Sequence, residues 1–288
     1  MRLYLDSRDL INVISRRRPV GPDELRALLT NRDTTLVYSW SSVLETVNVG
    51  NLRESRARLE ILDGFPRSFI LGLPVLIRAE FRAALAAFRG QNAELISLRP
   101  WENRLDKAIR DRGQRDPLDL LVNFTLSDFV LPLLYFNPEV CRNREEVQRS
   151  LMHDVNLDRR HNRRVRRSRR WFLSGVVKML YRSGILLTRD ELEEFVDWML
   201  ETGAACPGWR FFSGSYKEFC DNLTDEGNRG DIPDFAHTTA LPYVDALTLD
   251  RRMADYSRRA GRRLLNQYED LRYDPGKIYS SLSAWLND

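Results

Sequence analysis

Cysteine and histidine are scarce, three of each in 288 residues. Cys141, Cys206 and Cys220 are widely spaced, odd in number and form no CxxC pair. That argues against a disulfide framework and favours a reducing compartment. With His153, His161 and His237 as the only imidazoles, a zinc centre of the Cys/His type is not expected. No apolar run reaches 18 residues, so no membrane-spanning helix is expected. The charges at Arg2, Asp6, Arg8 and Asp9 are unlike a secretory signal. Internal repeats and low-complexity linkers are also absent. The expectation is a soluble, cytoplasmic protein, with 43% hydrophobic residues supplying a core and 30% charged residues a solvated surface.

Acidic residues are missing from one place where the bases crowd. The stretch "RRHNRRVRRSRR", residues 159–170, holds eight arginines and no acid, while the whole chain carries a formal net charge of only +4. Such a block attracts polyanions through phosphate contacts and counterion release; the plainer reading is a solvated helix face.

The chain opens as an α/β protein. "RLYLD" at 2–6 reads as a strand ending in an acid, and Leu10, Val13 and Ile14 continue as a helix. "GPDELRALL" from 21 starts a second helix with an early proline and acids in its first turn. "TTLVYSW" at 34–40 is β-rich, and "SSVLETVNVGNL" returns to helix with Ser41 or Ser42 as its cap. Strand, helix, strand, helix predicts a parallel sheet. Residues 67 to 215 then read as almost wholly helical, with clear periodicity at Leu192, Phe195, Val196 and Met199. Around Trp209, in "GWRFFSGSYKEFCDNL", the periodicity weakens. The α/β style resumes with a helical "PDFAHTTALPY", a strand "VDALTLD", a helix "RRMADYSRRAGRR" and a last strand near "LLNQYED". The expected architecture is an α/β domain, residues 1–66 and 213–288, interrupted by an all-helical insertion, residues 67–212.

Four acids fall at the edges of these elements. Asp6 closes the first strand, Glu45 lies in the helix after "LVYSW", Asp234 opens the helix before "FAHTTA", and Asp250 closes "DALTLD". Parallel strands present their C-terminal ends on one edge, where sites form. Carboxylates converging there repel one another unless a cation compensates them, and a hard divalent ion is the natural partner. Each acid also has a plain structural reading: Asp6, Asp234 and Asp250 as helix caps, Glu45 as the partner of an arginine. Taken together, in this order, they favour a metal site.

The order resembles that of the PIN-domain nucleases. In that family an Asp after the first strand, a Glu in a following helix, an Asp opening a later helix and an Asp after the next strand bind magnesium or manganese. The matching stretches are "LYLDS", "SSVLETVNV" and "PDFAHTTALPYVDALTLD", whose Thr248-Leu249-Asp250 is similar to the family's T-x-D strand end. The resemblance covers roughly residues 1 to 60 and 216 to 280. It implies a three-layer fold on a central parallel sheet. It also implies metal-dependent hydrolysis of RNA, with water as nucleophile and 5′-phosphate and 3′-hydroxyl products. Asp6, Glu45, Asp234 and Asp250 would be the ligands or water-positioning groups, and Asp231 an alternative ligand. The family often carries Asn where this chain has Arg8, which would contact substrate phosphate, with Thr248 holding a phosphate or a carboxylate. The same metal chemistry permits DNA as substrate. A toxin or defence role, with an antitoxin or other protein partner, is compatible with such an activity; a catalytically silent binding module is the competing class.

Lesser candidates complete the set. Glu80 in "RAEFR" rivals Glu45, and His237, one helical turn past Asp234, reads as a packed or capping histidine. Asp245 lies at the far end of its strand and is assigned to structure; Ser39 has a hydroxyl that can hold an anion. Trp171 and Phe172, after "RRSRR", either stack on unpaired bases or join the core. In the nuclease reading, Arg163, Arg164, Arg166 and Arg167 hold RNA over the acidic edge. Replacing these four by alanine is expected to weaken RNA binding and to flatten its salt dependence by about 0.7 in log–log slope for each single-strand phosphate they neutralise. Salt-titrated binding assays read this directly, and an unchanged slope removes the tract from the interface.

Overall fold

Six short strands assemble into one sheet in the computed structural model, which describes residues 1–17, 19–48, 50–91, 98–110, 125–136, 148, 152–153, 155–157, 159, 169–222, 224, 226–228, 230–271 and 273–288. The strands are β1 (Arg2–Tyr4), β2 (Thr35–Tyr38), β3 (Arg67–Ile70), β4 (Trp101–Glu102), β5 (Ala246–Thr248) and β6 (Ile278–Tyr279). Their order is β4-β3-β2-β1-β5-β6, and every pair is parallel except β3–β4. β1 is central: Leu3 sits opposite Leu36 of β2 on one side and Ala246 of β5 on the other. The chain therefore builds outward from β1 through β2 and β3, then returns to its other flank.

Both faces are buried at the centre of the sheet, so β1, β2 and β5 read as continuous apolar runs rather than as polar–apolar alternation. The alternation is between two cores. Leu3, Leu36, Phe69 and Ala246 enter one, with Leu10, Val13, Leu25 and Leu59. The helices around that core are α1 (Ser7–Ile14), α2 (Pro22–Asn31), α3 (Trp40–Thr46), α4 (Leu52–Asp63), α6 (Leu105–Ala108), α7 (Leu126–Phe136) and α13 (Leu282–Leu286). Tyr4, Val37, Ile70 and Leu247 enter the opposite core, with Phe211, Phe219, Phe235 and Tyr256. That face carries α10 (Pro207–Asp221), α11 (Asp231–His237), a 3-10 segment (Thr238–Tyr243) and α12 (Arg251–Gln267). A third cluster joins α5 (Leu73–Phe88), α8 (Arg169–Arg182) and α9 (Arg189–Glu201) around Phe81, Val176, Phe195 and Trp209. The α/β class and mostly parallel sheet agree with the sequence reading.

Three expectations are corrected. The boundary at residue 67 falls on β3, so the supposed all-helical stretch contributes both β3 and β4 to the sheet. "RSFI" offers only Phe69 and Ile70 as buried apolar residues, and a run that short carries no period. The aromatic-rich "GWRFFSGSYKEFCDNL" is helix α10, buried through Trp209, Phe211 and Phe219. "LLNQYED" supplies no strand: α12 runs to Gln267, and the last strand is β6.

Glu80 joins the helical layer to the sheet domain. Its Oε1 accepts the Gly208 N–H at 2.6 Å and its Oε2 the Trp209 N–H at 3.0 Å, at the start of α10, while Tyr243 donates its hydroxyl to Oε1. A Cβ on Gly208 would come within 2.7 Å of Oε1 and 2.9 Å of the Thr239 carbonyl, so the residue allows this approach. Burial, only partly offset by these three donors, raises the Glu80 carboxyl to about 7. Because the folded value lies above the ordinary 4.5, the group's contribution to stability is complete below pH 4.5 and lost as pH rises to about 7. The unfolding free energy of the wild type relative to Glu80→Gln is expected to drop by roughly 3 kcal/mol across that interval, at about 1.4 kcal/mol per unit. Denaturant titrations of both proteins at each pH measure it, and a pH-independent difference refutes the assignment.

Candidate metal centre

The C-terminal ends of β1, β2 and β5 meet where the chain reverses its direction of travel across the sheet, the place where open α/β sheets form their crevices. Asp6 follows β1 and stands at the start of α1, yet its side chain makes no capping bond. Its backbone N–H is held by the Thr248 hydroxyl oxygen at 3.0 Å, and the Thr248 hydroxyl in turn hydrogen-bonds to Asp9. Asp9 accepts the Leu282 N–H at 2.9 Å. The tips of β1 and β5 are thereby locked together. The Ser7 hydroxyl lies 3.2 Å from an Asp6 oxygen and also bonds Glu45, which α3 brings in.

Asp234 projects from the first turn of α11, and His237 lies one turn further on. One ligand atom each from Asp6, Asp234 and His237 fall within 4.8 Å of one another, and among the described residues these form the group suited to a metal ion. Glu45 borders the group, with an oxygen 3.8 Å from His237 Nε2. Asp250 caps α12 through the Met253 N–H at 2.8 Å and also hydrogen-bonds Asp234. The structure thus brings Asp6, Glu45, Asp234 and Asp250 together, and adds His237.

The histidine is the residue that sequence reasoning left as a packing group. It is 2% exposed. Its Nδ1 lies 2.6 Å from the Tyr4 hydroxyl, which lies 2.7 Å from Ser39 Oγ. Ser39 Oγ also accepts the Ser42 N–H at 3.0 Å as the cap of α3, the role expected of Ser41 or Ser42. If Nδ1–H donates to Tyr4 and Tyr4 to Ser39, Nε2 presents its lone pair to the carboxylates. That Nε2 is buried without a hydrogen-bond partner. The spacing from Asp234, three residues in a helix, was the available signal; Tyr4, at the other end of the chain, was not.

Electrostatics mark the same spot. Asp234 is pushed up to about 9, first by burial, then by Asp6 and Asp250 and by Glu45. Burial also raises Asp6, against the opposing influence of His237 and Arg8. These influences favour a proton on Asp234, whose place a cation could take. The unpartnered imidazole nitrogen and the crowded carboxyls fit a divalent ion.

Other candidates are placed elsewhere. Asp231 is not in the group: Arg252 pairs with its carboxylate and the Asn228 N–H reaches it at 2.8 Å, although burial and Asp250 still raise the carboxyl. Thr248 is fully buried with its hydroxyl committed to Asp6 and Asp9, so it positions a carboxylate and has no face for substrate. Glu80 is engaged at α10, away from the acids. Asp245 accepts the Arg2 N–H at 2.6 Å at the opposite end of β5, as expected of a structural residue. Arg8 is half-exposed, lies near Asp6 and donates to the Ser280 carbonyl at 3.1 Å. Arg163, Arg164, Arg166 and Arg167 and the Trp171 side chain lie outside the described residues. At the tract's ends, Arg159 is buried over the Phe219 ring and Arg169 pairs with Asp197 at 2.7 Å, while Phe172 packs on Trp209 in the core.

Asp234's value in the folded protein stands above its ordinary 3.8, so the ion-free protein loses stability as pH rises from there to about 9. In a chelating buffer the melting temperature of the wild type is expected to fall relative to Asp234→Asn through that window, each kcal/mol being worth roughly 2–4 °C. Adding Mn2+ should reverse the order, stabilising the wild type more than the variant. Parallel melting curves at all pH values would contradict the charge-crowding account. Comparison of the chain with protein-family models, with curated proteins and with solved structures finds no match.

Proposed function

We propose that the protein is a metal-dependent nuclease of PIN-like fold that hydrolyses phosphodiester bonds in RNA. One observation carries the reading: acids from four separate segments, Asp6, Glu45, Asp234 and Asp250, share one buried crevice at the switch point of a parallel sheet. Their order along the chain is the one on which the resemblance rests.

Asp6, Asp234 and His237 would hold the ion, with Glu45 and Asp250 at its border. A divalent ion supplies charge neutralisation at phosphate and a more acidic water. The chain's own groups set the geometry. Ser7 ties Glu45 to Asp6, and the Glu45 side chain, 20% exposed, stands at the mouth where an attacking water would be oriented. The Arg8 side chain, 48% exposed and near Asp6, would meet a substrate phosphate. Next to the acids lies a cavity of about 540 Å³ walled by Tyr4, Trp40, Leu71, Phe129 and His237. Among the described residues no carboxylate, lysine or arginine lines it, so it suits an unpaired base and not a phosphate.

Labelled single-stranded RNA incubated with Mn2+ or Mg2+ is the test. Cleavage should be abolished by chelation and reduced roughly a hundredfold or more in Asp6→Asn and Asp250→Asn, the order expected when one group of a charge-stabilising set is removed. Cleavage of single-stranded DNA in preference to RNA would change the substrate. RNA binding without cleavage by any of these proteins would favour the silent binding module.

A further inference from the structure

We infer that the centre selects a first-row transition ion over magnesium, and that His237 Nε2 is the ligand that makes the selection. The inference rests on the metal-site part of the reading above and deepens it.

Four carboxylates alone describe a site for a hard ion. Magnesium takes oxygen ligands, keeps most of its waters and has little use for a nitrogen donor. An imidazole among the oxygens alters that preference, because first-row transition ions gain from a nitrogen ligand. The structure commits a histidine to this task in several ways. Nε2 is buried without a hydrogen-bond partner, and a buried polar atom left so is costly unless something occupies its lone pair. One of the ring nitrogens lies within 4.8 Å of ligand oxygens of Asp6 and Asp234, and with Nδ1 engaged by Tyr4 the role falls to Nε2. The 3.8 Å to Glu45 is too long for a hydrogen bond, so that acid does not satisfy it.

The far side of the ring is fixed as metal-bound histidines are. They characteristically give their second N–H to a partner that sets tautomer and orientation. Here Tyr4 meets Nδ1 at 2.6 Å and is itself held by Ser39 at 2.7 Å. Tyr4 is fully buried in the central strand, so the ring's back-stop is anchored in the sheet and not on a loop. In this account Tyr4 is a positioning residue that touches no ion.

The experiment uses the full chain and Mn2+ as the probe. Free Mn2+ is counted by its electron paramagnetic resonance signal to give affinity, Mg2+ is added as competitor, and electron-spin-echo modulation reports whether a nitrogen is bound. The wild type should show modulation from one imidazole nitrogen. His237→Gln should lose that modulation, and its preference for Mn2+ over Mg2+ should fall at least tenfold. Tyr4→Phe should weaken Mn2+ binding by about 10- to 100-fold while retaining nitrogen coupling. Mn2+ bound by the wild type without nitrogen coupling, or an unchanged preference in His237→Gln, overturns the inference and leaves the nuclease reading intact. Nitrogen-coupled Mn2+ in a protein that cleaves no nucleic acid sustains the inference and overturns the nuclease. Absence of any divalent binding overturns both. The wild-type spectrum decides the ligand question even if a variant fails to fold.

Discussion

The pairing of β1 with β5 is the contact on which the centre depends. More than 240 positions separate Asp6 from Thr248, yet a single hydroxyl spans the two strand tips, taking the Asp6 N–H on one side and bonding Asp9 on the other. That bond fixes the backbone of one acid directly beside the strand whose next residues end in another. Asp234 and His237 then enter from α11, whose Phe235 is buried in the core shared by Tyr4 and Leu247. Packing, not attraction among the acids, does the gathering. The acids themselves resist it: burial and the charges of Asp6, Asp250 and Glu45 all push the Asp234 carboxyl upward.

Much of this was legible in the sequence, for a physical reason. An acid at the end of an apolar strand run is visible because the run's own pattern marks where it stops, and Asp6 and Asp250 both stand at such stops. Glu45 and Asp234 were legible through the helices that follow strands. Single-residue readings were not simply wrong, either: Asp250 does cap α12 while also bonding Asp234, so its carboxylate serves both the local and the distant structure.

What stayed illegible was partnership across the chain. Asp231 and Asp234 sit one turn apart in the same short helix and look equivalent as letters; the arrival of Arg252 gives a cationic partner to Asp231 and not to Asp234. His237 gains its meaning from Tyr4, and Thr248 loses its expected face to substrate because its hydroxyl already has two neighbours. The missed β3 is a matter of length: two buried apolar residues carry no period, and their strand character comes from lying next to β2.

The Glu80 brace has a wider consequence. It grips Tyr243 at the close of the 3-10 segment that begins immediately after His237, and in the same grasp holds the head of α10. A helix that brings no residue to the candidate site thus backs the stretch of chain that follows the imidazole. Excising the helical portion would remove that support, so the two parts form one mechanical unit, and dissecting them should loosen the candidate site even with Asp6, Asp234 and His237 all retained.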